Sequence, residues 1–180
     1  MNTRLKRTND ELKADSPTEE EIKFIDKMPI YIMLENIRSV HNVGSIFRNA
    51  DGFGISKIYL TGYTAYPPRD DLSKPALGSD KVFPWEHFEN PLDAIEDLRK
   101  SNIHPVAIEQ TISSKCIYDY EFNFPTCIVL GNEVTGVSEE VLGVISDHVE
   151  ITMKGIKQSF NVSVAAGIVC FEMMRQNLLA

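Results

Sequence analysis

Residues 29–61 read PIYIMLENIRSVHNVGSIFRNADGFGISKIYLT, and they hold one complete folding unit. Pro29-Ile-Tyr-Ile-Met-Leu34 is a continuous apolar run, the pattern of a strand buried on both faces. It stops at a polar loop, Glu35 to His41. From Asn42 to Asp51 the spacing becomes helical, with Val43, Ile46, Phe47 and Ala50 on one face. Gly52 and Gly54 end that helix, and Lys57-Ile-Tyr-Leu-Thr61 is the next strand. Strand, helix and strand in this order form a βαβ unit, whose two strands lie parallel.

Toward the C-terminus the alternation continues. Residues 62–78 carry three prolines and are expected to be a long loop, a kind of segment that is often functional. Asn90-Pro91 is a helix start, Asn as cap and Pro at the first helical position, and Leu92, Ile95 and Leu98 line the inner face up to Ser101. Pro105 to Ile108 is a third strand and Thr126 to Leu130 a fourth. Ser138 caps a short helix with Val141, Leu142 and Ile145, and His148 to Ile151 is a fifth strand. A polar loop follows, then a helix from about Asn161. From Val162 to Phe171 nearly every residue is apolar or small. A helix without a polar face is buried, so it belongs deep in the fold or in a subunit interface. Strands alternating with helices mean an α/β fold with a mainly parallel sheet flanked by helices.

Toward the N-terminus, residues 1–28 form a charged extension: Arg4, Lys6 and Arg7, then acids from Asp15 to Glu21. Ser16-Pro-Thr18 before three glutamates reads as the start of a short helix. The basic tip is a candidate RNA contact, though a solvated arm is the simpler reading. Residues 29–180 are the main domain.

Composition bounds the rest. The 180 residues are 43% hydrophobic and 24% charged, ordinary for a soluble domain. No apolar run reaches the ~18–20 residues of a membrane span, and the N-terminus lacks the apolar core of a secretory signal. Cys116, Cys127 and Cys170 are widely spaced, which suits a reducing cytoplasm. The net charge of −8 argues mildly against nucleic-acid binding, but a local basic patch is compatible with it.

In open α/β sheets ligands bind beyond the carboxyl ends of the strands. Those ends collect Asn36, Arg38, His41, Asn42, Glu109, Gly131, Asn132, Glu133, Gly136, Gly155, Ser159 and Asn161. There is no phosphate-binding P-loop sequence, and Gly52-Phe-Gly54 precedes a strand where a dinucleotide fingerprint would follow one. The four histidines have no metal-ligand spacing, and no Ser or Cys sits in a nucleophile elbow.

Three segments in order resemble a known family. They are Asn36-Ile-Arg-Ser-Val-His-Asn-Val-Gly-Ser-Ile-Phe-Arg48 with Ala50 and Gly54, Leu130-Gly-Asn-Glu-Val-Thr-Gly136, and Ile151-Thr-Met153 with Ser159-Phe-Asn-Val-Ser-Val-Ala-Ala-Gly167. Together they resemble the SpoU (TrmH-like) branch of the SPOUT RNA methyltransferases, over residues 29–180. Glu35 stands where the family usually has Asp or Asn, and Phe160 where it usually has Leu. The amino-terminal RNA-binding domain of some members has no counterpart.

The resemblance implies an α/β sheet with a C-terminal trefoil knot, a homodimer, and S-adenosyl-L-methionine as cofactor without a metal. The reaction implied is methylation of a ribose 2′-hydroxyl in RNA, tRNA favoured over rRNA. It places Arg48 at the reacting hydroxyl. Arginine holds its proton, so orienting the hydroxyl and steadying the developing alkoxide is the role preferred over base. Asn36 is expected to brace the first motif, and Glu133 to hold Arg48 or its loop. Ser159 and Asn161 serve the ribose or the methionine end. Leu130, Gly131, Ile151, Met153 and Phe160 map onto cofactor contacts. Lys154, Lys157, Arg38 and His41 make a phosphate-binding rim. A non-catalytic RNA-binding protein with the same fold is the alternative, and a small-molecule nucleotide binder has less support.

Overall fold

The structure is a computed structural model that describes residues 5–18 and 20–179. Its centre is strand β1 (Met28–Glu35), paired in parallel with β2 (Ile55–Thr61) on one side and β6 (Thr126–Leu130) on the other. Ile32 stands in register with both Ile58 and Ile128. Seven strands follow the order β3-β2-β1-β6-β4-β7-β5, and every pairing between them is parallel. The remaining strands are β3 (Trp85–Phe88), β4 (His104–Ile108), β5 (Lys115–Cys116) and β7 (Asp147–Glu150).

Alternation along the strands feeds two cores. Ile30, Ile32 and Leu34 face α2 (Val40–Gly52), α3 (Asp70–Ala76) and the long C-terminal α7 (Val162–Leu179). Met33 and Tyr59 belong to the opposite core, with Ala94, Ile95 and Leu98 of α5 (Pro91–Lys100) and Val141 of α6 (Glu139–Leu142). The central strands are therefore covered on both faces, which is why they read as unbroken apolar runs.

Several expectations need correction. The expected loop 62–78 contains α3, and α4 (Ser79–Val82) follows it. Pro75 lies inside α3 and argues against a helix on propensity alone. Packing decides instead: Leu72 and Pro75 press so closely on Gly44 of α2 that a Cβ there would overlap them. Two strands were not foreseen, the edge strand β3 and the two-residue β5. In the N-terminal extension the helix is α1 (Asn9–Ala14), capped by a Thr8–Glu11 box, and it ends before Ser16. Thr18 and Glu21 do form the reciprocal capping bonds, but only a single 3₁₀ turn follows, Glu21–Lys23. Arg4 and Glu19 lie outside the described residues.

Helix α7 starts where expected, with Asn161 accepting from the Ser163 amide at 2.9 Å. Ala166, Val169, Cys170 and Met173 are buried against the sheet, whereas Val164, Phe171 and Leu178 are 49%, 56% and 68% exposed. The chain alone covers one side of this apolar helix.

Candidate active site

Parallel strands send all their carboxyl ends to one edge, and there three loops converge: 36–42 after β1, 131–137 after β6 and 151–161 after β7. A cleft of about 500 Å³ opens between the last two and the end of β4. Of the predicted site residues, Leu130, Gly131, Glu133, Ile151, Met153, Ser159, Phe160 and Asn161 line it. Asn36 and Arg48 do not.

A chain of hydrogen bonds ties the loops together. Glu133 accepts from the backbone amides of Arg38 (2.8 Å) and Ser39 (3.0 Å) and from the Asn42 side chain (2.8 Å). Asn42 Oδ1 accepts from Asn161 Nδ2 at 3.0 Å, and Asn161 Oδ1 accepts from the Ser163 amide and hydroxyl. The three sequence motifs thus meet in one network. Of the two expected partners, Glu133 holds the loop; no bond joins it to Arg48 among the described residues. Partial burial pushes the Glu133 carboxyl up, but the three donors outweigh it and hold it below the usual carboxylate range.

Asn36 sits in left-handed backbone at φ 53°. Its Oδ1 accepts from the Tyr63 amide at 3.2 Å, and its carbonyl accepts from Asn132 Nδ2 at 2.8 Å. Asn36 thus ties the end of β1 to the loop after β2 and to the loop after β6. Asn132, named at the strand ends but given no role by the sequence, is the hub of the second loop. Its Oδ1 accepts from the Val134 and Thr135 amides, and its Nδ2 also reaches the Tyr63 hydroxyl at 2.7 Å. Glu109, likewise named at a strand end, had no role assigned, and Gln110 was not singled out. Glu109 Oε2 accepts from the Val137 amide at 3.0 Å. Gly131 and Gly136 are required by this fit, since a Cβ on either would overlap Val137 or Glu109. Gln110 Nε2 donates to the Gln158 carbonyl at 2.6 Å. That is the one hydrogen bond among the described residues that ties 153–160 to the rest of the chain. Glu35, one of the two family departures, is buried and holds Ser138, the cap of α6, by accepting from its amide (3.0 Å) and hydroxyl (2.6 Å).

The electrostatics divide the edge in two. Glu109, Glu133 and Glu150 line the cleft, a setting for a cationic ligand. Around it Arg38, His41, Lys154 and Lys157 are exposed, and so is Arg48 on α2. None of these five makes an ion pair among the described residues. Arg48 precedes Asn49, whose side chain donates to the Ser163 carbonyl at 3.0 Å, so it stands beside the start of α7. No cluster of three metal-ligating side chains occurs among the described residues.

Residues 29–171 match the family described as SpoU rRNA Methylase. The chain is 30% identical to a tRNA (guanosine(18)-2′-O)-methyltransferase of Aquifex aeolicus, over 82% of this chain and 69% of that protein. It is 32% identical to a 23S rRNA (guanosine-2′-O-)-methyltransferase of Vibrio parahaemolyticus, over 84% of this chain and 61% of that protein. Among solved structures, the TrmH/SpoU tRNA modifying enzyme of A. aeolicus superposes with a TM-score of 0.78 at 27% identity, covering 89% of this chain and 84% of that one. An AdoMet-bound rRNA methyltransferase from Sinorhizobium meliloti gives 0.77 at 28% identity, covering 88% and 61%.

Proposed function

The chain belongs to the SpoU rRNA methylase family, and from that premise we propose that it transfers a methyl group from S-adenosylmethionine to a ribose 2′-hydroxyl of RNA. The observation that carries the reading is the network Glu133–Asn42–Asn161, which joins the hydroxyl-side loop to the walls of the cleft. The cleft fits the cofactor. Its volume lies within the ~300–1,000 Å³ of sites for ligands of this size. Its three carboxylates suit a molecule that carries a sulfonium and an ammonium. Leu130, Ile151, Met153 and Phe160 supply apolar walls, and Gly131 lets backbone approach closely.

When bound, the cofactor supplies an electrophilic methyl on a good leaving group, so the residues of the chain have to position the reactants and steady the attacking oxygen. Ser159 and Asn161 stand at the mouth of the cleft. Arg48, always protonated, donates to the ribose hydroxyl oxygen and stabilises the charge that develops there as the hydroxyl proton passes to solvent water. The exposed cations Arg38, His41, Lys154 and Lys157 take phosphates. Relatives named as tRNA methyltransferases support tRNA ahead of rRNA as the substrate. The family resemblance also supports a C-terminal trefoil knot and a homodimer. Cys127 and Cys170, buried and unpaired, fit a cytoplasmic location.

Calorimetry in the presence of a chelator tests the cofactor; no binding of S-adenosylmethionine at millimolar concentration defeats the assignment. Mapping 2′-O-methyl sites in RNA from cells with and without the gene tests the reaction. Intact binding of cofactor and RNA with no site lost would instead favour the non-catalytic reading.

A further inference from the structure

A second concavity, of about 580 Å³, opens at the ends of β2 and β3, outside the cleft. The loop after β2, from Gly62 to Arg69, forms one side, and His87 and Glu89 form the other. Its lining is aromatic. Alternation puts Trp85 and His87 on the same face of β3, and Tyr66 lies against both, its ring centroid 5.9 Å from Trp85 and 4.4 Å from His87. His87 is fixed in turn by Nε2, 2.9 Å from the Gly62 carbonyl. Even so, Tyr66 remains 46% exposed and Tyr63 64%. Large rings held by a sheet edge and left open in a concave site are the features of a stacking platform.

The groove is linked to the reaction site by one hydrogen bond. Tyr63 lines the groove, and its hydroxyl accepts from Asn132, which lines the cleft. Its amide donates to Asn36. Strand β2 is two places from β6 and β3 is three, so at ~4.8 Å per strand the groove lies roughly 10–15 Å from the cleft. The end of β1, with the loop that leads to Arg48, lies between them.

We propose that this groove is a nucleobase subsite, which takes the base of an RNA nucleotide flanking the methylated one and stacks it on Tyr66. The proposal rests on the RNA methyl-transfer reading above. The lining selects a base over a phosphate. Arg69 spends Nε and Nη2 on Asp71, at 2.9 and 2.8 Å. Glu89, exposed at the rim, repels phosphate but accepts from a base amino or ring N–H. Pro67 and Pro68 stiffen the loop, so little order has to be created on binding.

The test uses Tyr66→Ala and Tyr66→Phe in the full chain. One probe is total RNA from cells lacking the gene, methylated with tritiated S-adenosylmethionine. The other is a single-stranded oligoribonucleotide containing 2-aminopurine, whose fluorescence falls when it stacks on a ring. Loss of one base–aromatic stack should raise the KM for RNA about 10- to 100-fold in Tyr66→Ala. Turnover at saturating RNA and the Kd for S-adenosylmethionine should stay near wild type. Tyr66→Phe should behave as wild type, and Tyr66→Ala should lose the quench. An unchanged KM and quench in Tyr66→Ala would overturn the proposal. So would an equal loss of cofactor binding, which would make the ring part of the fold. If wild type binds the cofactor but methylates no RNA, the methyl-transfer reading fails by itself, and the quench still decides the groove.

Discussion

Glu133 shows how one side chain can serve both stability and reaction. Its carboxylate collects two amides and one side-chain amide from residues 38–42, a segment about ninety residues away in sequence. Its folded pKa lies below the ordinary value of 4.5, so the bracing is complete above that pH and is lost as pH falls through the lowered value. Glu133→Gln places an amide among these donors. Its melting temperature should be about 2–4 °C below wild type near neutral pH, the effect of ~1 kcal/mol in a chain of this size. The gap should close below pH 4.5; a gap that widens there would contradict the assignment. Arg48 is the opposite case, an exposed cation with no partner among the described residues and little to contribute to stability. Arg48→Ala should leave the fold and the cofactor Kd near wild type and lower turnover at saturating RNA about 10²–10³-fold, as loss of an oxyanion donor does. Arg48→Lys should recover only part, because a point charge does not reproduce the planar fork. Wild-type turnover in Arg48→Ala would remove it from the mechanism.

At the scale of elements, the loops differ in how firmly they are held. Residues 131–137 are fixed by Asn132 and Glu109, whereas 153–160, which carry Ser159 and Phe160, hang among the described residues on the single bond from Gln110. Gln110→Ala should therefore raise the S-adenosylmethionine Kd about 2- to 10-fold, the worth of one hydrogen bond. It should also speed amide exchange across 153–160. Gln110→Glu, isosteric but without the donor, should be at least as weak; wild-type affinity in both would show that the strap does not position the loop. None of this was legible in the chain, since Gln110 lies 48 residues from Gln158 and no local pattern marks such a pair. The buried strands β1 and β6 were legible, because burial on both faces leaves an apolar run. Strand β3 was not, being four residues long and paired on one side only, with β2. Helix α3 was hidden by Pro75, and only its packing on Gly44 explains it. The motif residues were legible through their order and spacing, but the sharing of work between Glu133, Asn42 and Asn161 needed three dimensions.

At the scale of the whole molecule, helix α7 leaves an apolar surface uncovered. Val164, Phe171 and Leu178 recur at seven-residue intervals, which drift only ~20° per step around a helix, so they form a single stripe along α7. The opposite side of α7 is already buried in the sheet core. Asn49 bonds to Ser163 at the head of this helix, one residue before the stripe begins, and Arg48 precedes Asn49 on α2. A second copy is the occupant that the proposed homodimer requires, and the stripe is continuous enough to meet its own image across a two-fold axis. Phe171→Arg should then shift wild-type dimers to monomers in sedimentation equilibrium. The side chain is 56% exposed in the single chain, so the substitution opens no cavity in the core and the melting of the monomer should change little. Turnover should fall with the dimer fraction and recover as protein concentration rises, whereas a merely misfolded variant would not recover. A wild-type chain that sediments as a fully active monomer would show that the stripe is open surface, and the homodimer would have to be abandoned.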